Sequence, residues 1–304
     1  MIPHGGGLPR HVPRGARPVL EDLLGLRRYG AEMRRLLALD TERRAAPRAP
    51  TARSQGMDYA ESRPYTPGDD VRRIDWRVTA RTGRAHTKIF RLERGSDLYC
   101  IVDQRAPMRF GTRAAFKSVV AAQLAVLAGW AAAAGGDRFG ARIGGARGPA
   151  IPLGAADASV RALCAALADA VPGEQTPLDA LAARAAMEAP RGTRFLVISD
   201  FADPELVLER AARSLRSGGE LLLAWVLDPM EERLPPPARY ALTDGREHLL
   251  LDTARAGVRA AHARDLAALR RRLARLAAQP GTRACALRAG EDVFAALGRP
   301  LPAG

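Results

Sequence analysis

Short apolar runs alternate with longer amphipathic segments from residue 98 onward. The apolar runs predict strands at 98–103, 137–143, 194–199 and 220–227. The segments between them have helical spacing of apolar residues. They predict helices at 114–134, 156–170, 178–188 and 204–216. This order is typical of an α/β fold with a doubly wound, mainly parallel sheet and helices on both faces.

The pattern changes again near the C-terminus. Residues 240–242 and 248–251 predict a hairpin around the turn Asp244-Gly245. A long helix is predicted at 254–278, where Pro280-Gly281 stops it. A last strand is expected at 282–287 and a last helix at 292–297.

The N-terminal third is less regular. Residues 1–18 are rich in Gly, Pro and Arg and predict a disordered tail. Residues 19–45 have helical spacing, and 56–97 are dense in charged and turn-forming residues, with a strand predicted at 87–92. The expected organisation is therefore a tail at 1–18, an N-terminal segment at 19–97 and a sheet domain at 98–304.

Composition narrows the classes of function. The net charge of +14 suggests a nucleic-acid partner, but only Lys88 and Lys117 are lysines among 47 basic residues, and the arginines are scattered. We therefore regard nucleic acid as unlikely. Cys100, Cys164 and Cys285 have no disulfide or zinc spacing, which suits a reducing compartment and predicts a cytoplasmic protein.

One segment is apolar enough to raise the question of a membrane span. Residues 119–136 carry no formal charge, but they are mostly Ala and Gly and include Gln123. A buried amphipathic helix that covers the sheet explains this composition better. We predict neither a transmembrane segment nor a secretory signal.

Polar residues stand where a doubly wound sheet binds ligands. Asp103 and Asp200 each follow a predicted strand, and Thr176 precedes a predicted helix. Ligands of open α/β sheets bind outside the carboxyl ends of the strands. Two carboxylates and a hydroxyl there would suit Mg²⁺, which prefers oxygen ligands.

These positions resemble the metal-ion-dependent adhesion site of von Willebrand factor A domains. That site has Asp-x-Ser-x-Ser in its first loop, Thr in its second and Asp in its third. Here Asp103, Thr176 and Ser199-Asp200 match, but Arg105 and Pro107 replace the two serines. Neither side chain can ligate Mg²⁺. The resemblance therefore implies a degenerate site with no bound metal, and Mg²⁺ is disfavoured as a cofactor.

A second motif is similar to the signature of the family called domain of unknown function 58. It spans residues 62–81 and is followed by Lys88. The signature positions are Arg63, Gly68, Asp69, Asp70, Arg72, Asp75, Trp76, Arg81 and Lys88. Members of that family are von Willebrand A-like and are often encoded beside a MoxR-type AAA+ ATPase.

The resemblance implies a partner class and no reaction. The expected function is a non-enzymatic protein-interaction module that works with a MoxR-type AAA+ ATPase in assembly or maturation of other proteins. The alternatives are a metal-dependent hydrolase that uses Asp103 and Asp200, or a basic nucleic-acid-binding protein.

Two local questions stay open from the residues alone. The charges of the signature, Asp75 among them, would either form a buried ion-pair network or present a docking face anchored by arginines and Trp76. Arg105 would either place its guanidinium between Asp103 and Asp200 as a fixed internal cation, or point into solvent.

Overall fold

A computed structural model describes residues 10–37, 57–66, 74–92, 97–145, 148–170, 176–216, 219–243, 248–299 and 301. Contacts divide the chain into two units, one formed by 1–41 with 96–304 and the other by 42–95. The predicted segment 19–97 is thus divided, because the helices that begin at residue 20 pack on the sheet unit.

The helices and strands are numbered in chain order. The described helices are α1 (Leu20–Gly25), α2 (Gly30–Leu36), α3 (Trp76–Thr82), α4 (Lys117–Ala134), α5 (Ala156–Ala168), α6 (Leu178–Glu188), α7 (Glu205–Arg216), α8 (Pro229–Glu232), α9 (Ala256–Ala277) and α10 (Val293–Leu297). The strands are β1 (Met57–Pro64), β2 (His86–Leu92), β3 (Leu98–Asp103), β4 (Arg138–Gly144), β5 (Ala150–Ala155), β6 (Arg194–Ser199), β7 (Leu221–Leu227), β8 (Arg239–Thr243), β9 (His248–Asp252) and β10 (Thr282–Arg288).

The sheet unit is built on a six-stranded sheet in the order β10-β7-β6-β3-β4-β5. Its strands are parallel except β5, which pairs antiparallel with β4 at one edge. Strand order reverses between β3 and β6, as in doubly wound folds, and apolar clusters cover both faces. The predicted fold class is confirmed. The edge strand β5 was not predicted, because Pro152 and Gly154 weaken its pattern.

Helix α4 lies at the centre of the larger apolar cluster. It packs against the sheet, against α5, against α2 and against the 3-10 turn Leu26–Tyr29, so it has no solvent-facing side. The expected buried helix against the sheet is confirmed, but the expectation that it is amphipathic was wrong. Among the described residues, α4 alone is long and apolar enough to cross a membrane, and 89% of it is buried inside the protein.

Part of the predicted disordered tail is ordered against the sheet unit. Gly15 exchanges backbone hydrogen bonds with Ala114 and Phe116, and Val293 N–H donates to the carbonyl of His11. The His11 ring lies 2.6 Å from the side-chain oxygen of Gln123 on α4. The prediction was wrong for residues 10–18, because sequence composition does not show these long-range bonds. Residues 1–9 lie outside the described part.

The second unit contains an antiparallel pair, β1 with β2, and the short helix α3. Strand β2 contains the predicted strand at 87–92, whereas β1 was not predicted. Asp75 is the N-cap of α3, and its carboxylate accepts from Val78 N–H at 3.2 Å. The predicted turn at 244–245 lies outside the described residues.

Candidate functional site

Three neighbouring parallel strands are each followed or ended by an aspartate at the same edge of the sheet. Asp103 ends β3, Asp200 follows β6, and Asp228 follows β7. The carboxyl ends of parallel strands meet at one edge, and the strand order reverses between β3 and β6. The sequence therefore brings buried carboxylates to the position where such folds bind ligands.

The side chain of Arg105 is buried at this edge of the sheet and binds the carboxylate of Asp103. Its Nε lies 2.9 Å from Asp103 Oδ1 and its Nη2 lies 2.7 Å from Asp103 Oδ2. The Asp103 carboxylate also accepts from Arg105 N–H and from Ser199 Oγ, the latter at 2.6 Å. A carboxylate has about four acceptor sites, and all four are used here. Asp103 has no lone pair left for a metal ion.

The second carboxylate that Arg105 binds is that of Asp203. Asp200 does not bind Arg105 and has a different partner. Arg105 Nη1 and Nη2 donate to Asp203 at 2.7 and 2.6 Å. The chain turns at Phe201, whose φ of 52° is in the left-handed region that bulky residues rarely adopt. Phe201 N–H donates to Ser199 Oγ at 3.0 Å and its ring is fully buried. This fixed turn lies between the two aspartates.

Asp200 has its own cation, Lys117, which is the first residue of α4. Lys117 Nζ lies 2.8 Å from Asp200 Oδ2 and 2.5 Å from Glu231 Oε1. The lysine side chain is 2% exposed. A second internal cation therefore joins the start of α4 to the loops that follow β6 and β7.

Asp228, the third aspartate at this edge, is the N-cap of α8. Its carboxylate accepts from the backbone N–H and hydroxyl of Thr112, and from Met230 N–H at the start of α8. In return, Asp228 N–H donates to Glu231 Oε2 at 2.9 Å. Asp228 is fully buried, and its role is to fix the loop before α4 against α8.

Charge pairing sets the protonation of this cluster. Burial opposes the charge of Arg105, but its hydrogen bonds to Asp203 and Asp103 outweigh that effect and raise its pKa. Burial likewise opposes the charge of Lys117, and attraction to Asp200 and Glu231 raises its pKa. Burial raises the pKa of Glu231 despite the neighbouring Lys117. Both cations are therefore charged at neutral pH.

The other residues matched to the adhesion-site loops stand apart from this cluster. Pro107 is exposed in a 3-10 turn formed by Ala106–Arg109. Thr176 is half-buried before α6, and within the described part of the chain no hydrogen bond joins it to the aspartates. The structure thus brings together Asp103, Arg105, Ser199 and Asp200, without Thr176 or Pro107.

The signature residues are described only in part. Asp75 is 6% exposed, whereas Trp76 is 70% exposed and Arg81 also faces solvent. The positions that lie outside the described part, wholly or in their side chains, are Arg63, Gly68, Asp69, Asp70, Arg72 and Lys88. Asp75, the buried helix cap, and Trp76, which is exposed, are adjacent in the sequence. A structural role for Asp75 and a docking role for Trp76 are therefore compatible.

Sequence reasoning missed Lys117, Asp203, Asp228 and Glu231. One signal was available for Lys117, because it is one of two lysines in an arginine-rich chain and opens a long apolar helix. Asp228 follows a strand just as Asp103 and Asp200 do. The turn at Phe201 decides whether Asp200 or Asp203 binds Arg105. The spacing of residues in the sequence does not predict that turn.

The arrangement is a closed polar network. Asp103, Arg105, Lys117 and Asp200 are each 6% exposed or less. No group of three or more His, Cys, Asp or Glu residues suited to a metal ion occurs among the described residues. Mg²⁺ keeps several water ligands in most protein sites, whereas here the acceptor positions of Asp103 are all used and the cluster is buried.

Comparison with known proteins finds relatives of this chain. The uncharacterized protein Mb1516 of Mycobacterium bovis and the uncharacterized protein Rv1480 of Mycobacterium tuberculosis are each 33% identical over 195 residues. The match covers 62% of this chain and 61% of each relative, so the chain spans less than two thirds of their length.

A solved structure, a von Willebrand factor type A protein from Catenulispora acidiphila, is 16% identical with a TM-score of 0.29, and the match covers 47% of this chain and 35% of that one. At this score the likeness carries no weight for the fold, which rests on the strand order. The profile described as Protein of unknown function DUF58 matches residues 61–272, more than half of the chain. The protein therefore belongs to the DUF58 family.

Proposed function

We propose that this protein is a non-enzymatic interaction module that cooperates with a MoxR-type AAA+ ATPase in the assembly or maturation of other proteins. The observation that carries the proposal is the closed network at the carboxyl edge of the sheet. Arg105 saturates Asp103 and Lys117 pairs with Asp200, and this pairing disfavours either aspartate as a general base or a metal ligand. An edge of this kind can fix surface loops, but it cannot reach a substrate.

The exposed start of α3 supports a docking role in the other unit. Trp76 is 70% exposed, and Arg77 and Arg81 on the same short helix also face solvent. Tryptophan and arginine are the residues most enriched among the energetic centres of protein interfaces. Exposed Trp76 adds little to the stability of its own unit, which favours a role in binding.

The test is direct binding between the purified protein and a MoxR-type ATPase encoded in the same genome. Trp76→Ala should weaken the complex by about tenfold or more, as expected for a central interface tryptophan. Met187→Ala on α6 is the matched control, because Met187 is 87% exposed and lies outside the signature. The proposal fails if the ATPase does not bind, or if both variants weaken the complex equally.

A further inference from the structure

Strand β10 lies at one end of the sheet and has one free edge. Among the described strands it pairs with β7 alone, and Leu221 N–H donates to the carbonyl of Gly281 at 2.8 Å. In a parallel ladder, successive residues turn their backbone groups to opposite sides. Counting from Gly281, the N–H and C=O groups of Thr282, Ala284 and Ala286 therefore point away from β7.

A cavity of about 430 Å³ runs along this free edge. Leu36, Leu37 and Leu297 line it on one face of the sheet, and Ala274, Ala277 and Ala278 of the α9 region line it on the other. The volume lies within the range of about 300–1,000 Å³ that is usual for ligand sites. An added strand projects side chains alternately to both faces, and both walls here are apolar.

One residue of the chain already uses the edge in this way. Leu301 N–H donates to the carbonyl of Ala284 at 3.2 Å, and its side chain packs on the apolar cluster of the α9 face. Its sequence neighbours are Pro300 and Pro302, which have no N–H and cannot extend a ladder. No other described residue pairs with the outward groups of Ala286.

Polar groups at the cavity also lack partners within the described chain. Thr282 Oγ is buried, with the residue 6% exposed, and makes no hydrogen bond there. A buried hydroxyl without a partner is unfavourable. Arg283 is exposed at the rim, and no described carboxylate pairs with it. A ligand with a hydrogen-bonding group and a carboxylate would satisfy both residues.

We propose that the free edge of β10 is a strand-addition site for an extended, apolar segment of a partner polypeptide that carries a carboxylate beside Arg283. Its main chain would pair with Ala284 and Ala286, and its side chains would fill the two apolar walls. Leu301 occupies one position of this site and competes with the segment. This inference does not depend on the proposed function.

The probe is a synthetic acetylated hexapeptide of alternating valine and leucine that ends in aspartate. It is titrated into the full chain and into a variant that ends at Arg299. Because Leu301 competes, the shortened chain should bind about fivefold tighter or more. Amide exchange by NMR then locates the peptide: the amides of Ala284 and Ala286 should slow by about tenfold, whereas Cys285, which already faces β7, should not change.

Two controls make the outcome decisive. A peptide that is N-methylated at alternate residues keeps its side chains but loses the ladder donors, and it should not bind. Arg283→Glu should weaken binding, while Arg184→Glu, on the exposed face of α6 and outside the cavity lining, should not. Absence of binding, equal binding of the methylated peptide, unprotected β10 amides or equal effects of the two arginine variants would each overturn the proposal.

Discussion

Lys117 Nζ lies 2.8 Å from Asp200 Oδ2, and Arg105 makes two parallel hydrogen bonds to Asp103. Each of the two buried aspartates therefore has its own side-chain cation. A divalent metal ion at such an edge would place two positive charges at one position. In this chain the two positive charges lie on two side chains, Arg105 and Lys117. The pairing explains how adjacent carboxylates are tolerated here, since an unpaired buried charge is strongly unfavourable.

The first prediction concerns Arg105. Arg105→Ser should lower the free energy of unfolding by about 3–5 kcal/mol, because Asp103 and Asp203 would remain buried without their cation. Urea denaturation measures the loss. Arg105→Lys is the matched control and should recover only part of it, since an ammonium cannot bind both carboxylates bidentately. Full recovery by lysine would contradict the geometric argument.

The second prediction concerns Lys117. Lys117→Met keeps the length of the side chain but leaves Asp200 unpaired, so the free energy of unfolding should fall by about 3–5 kcal/mol. The double variant with Asp200→Asn should be less destabilised than the sum of the single variants, because the two residues act as a pair. Strict additivity in denaturation measurements would show that they do not.

The third prediction concerns metal. The wild-type protein should show no saturable Mg²⁺ or Mn²⁺ binding below the millimolar range by calorimetry, because Arg105 fills the acceptor sites of Asp103. Arg105→Ser with Pro107→Ser should gain measurable Mg²⁺ affinity, since Asp103, Ser199 and Asp203 would then offer free oxygens. A wild-type isotherm that Asp103→Ala abolishes would contradict this prediction.

The elements of the sheet unit were largely predictable, because β3, β6 and β7 are uninterrupted apolar runs that end at polar residues. The residues alone left open whether Arg105 would lie between Asp103 and Asp200 or point into solvent, and in the structure its guanidinium binds Asp103. The partner of Arg105 across the crevice was expected to be Asp200 and is Asp203. That choice depends on the left-handed backbone of Phe201, and local pattern does not encode it.

The fourth prediction separates two roles of Asp75. Its carboxylate caps α3 through Val78 N–H, so Asp75→Ala should cost about 0.5–2 kcal/mol from loss of the cap alone. Asp75→Asn should retain most of that stability, because asparagine caps helices equally well. Thermal unfolding of both variants is the measurement. If asparagine proves as destabilising as alanine, the charge of Asp75 matters more than its cap.

The fifth prediction is a pair of opposite pH dependences at adjacent residues. Hydrogen bonds from Arg288 lower the pKa of Glu232 below its ordinary 4.5, whereas burial raises the pKa of Glu231 above the same value. The stabilising contribution of Glu232 is therefore present above pH 4.5 and lost as the pH falls through its lowered pKa. The stabilising contribution of the proton on Glu231 is present below pH 4.5, and it is lost as the pH rises through the raised pKa of Glu231.

Glutamine variants at both positions make this contrast measurable by urea denaturation between about pH 3 and pH 8. Glu232→Gln should cost about 1 kcal/mol or less at neutral pH, because the pair with Arg288 is partly exposed, and nothing at the acid end. Glu231→Gln cannot ionise, so its stability relative to the wild type should improve as the pH rises above 4.5. Two difference curves that slope in the same direction would mean that Glu231 is not protonated more readily in the folded protein, and that Lys117 rather than burial governs its charge.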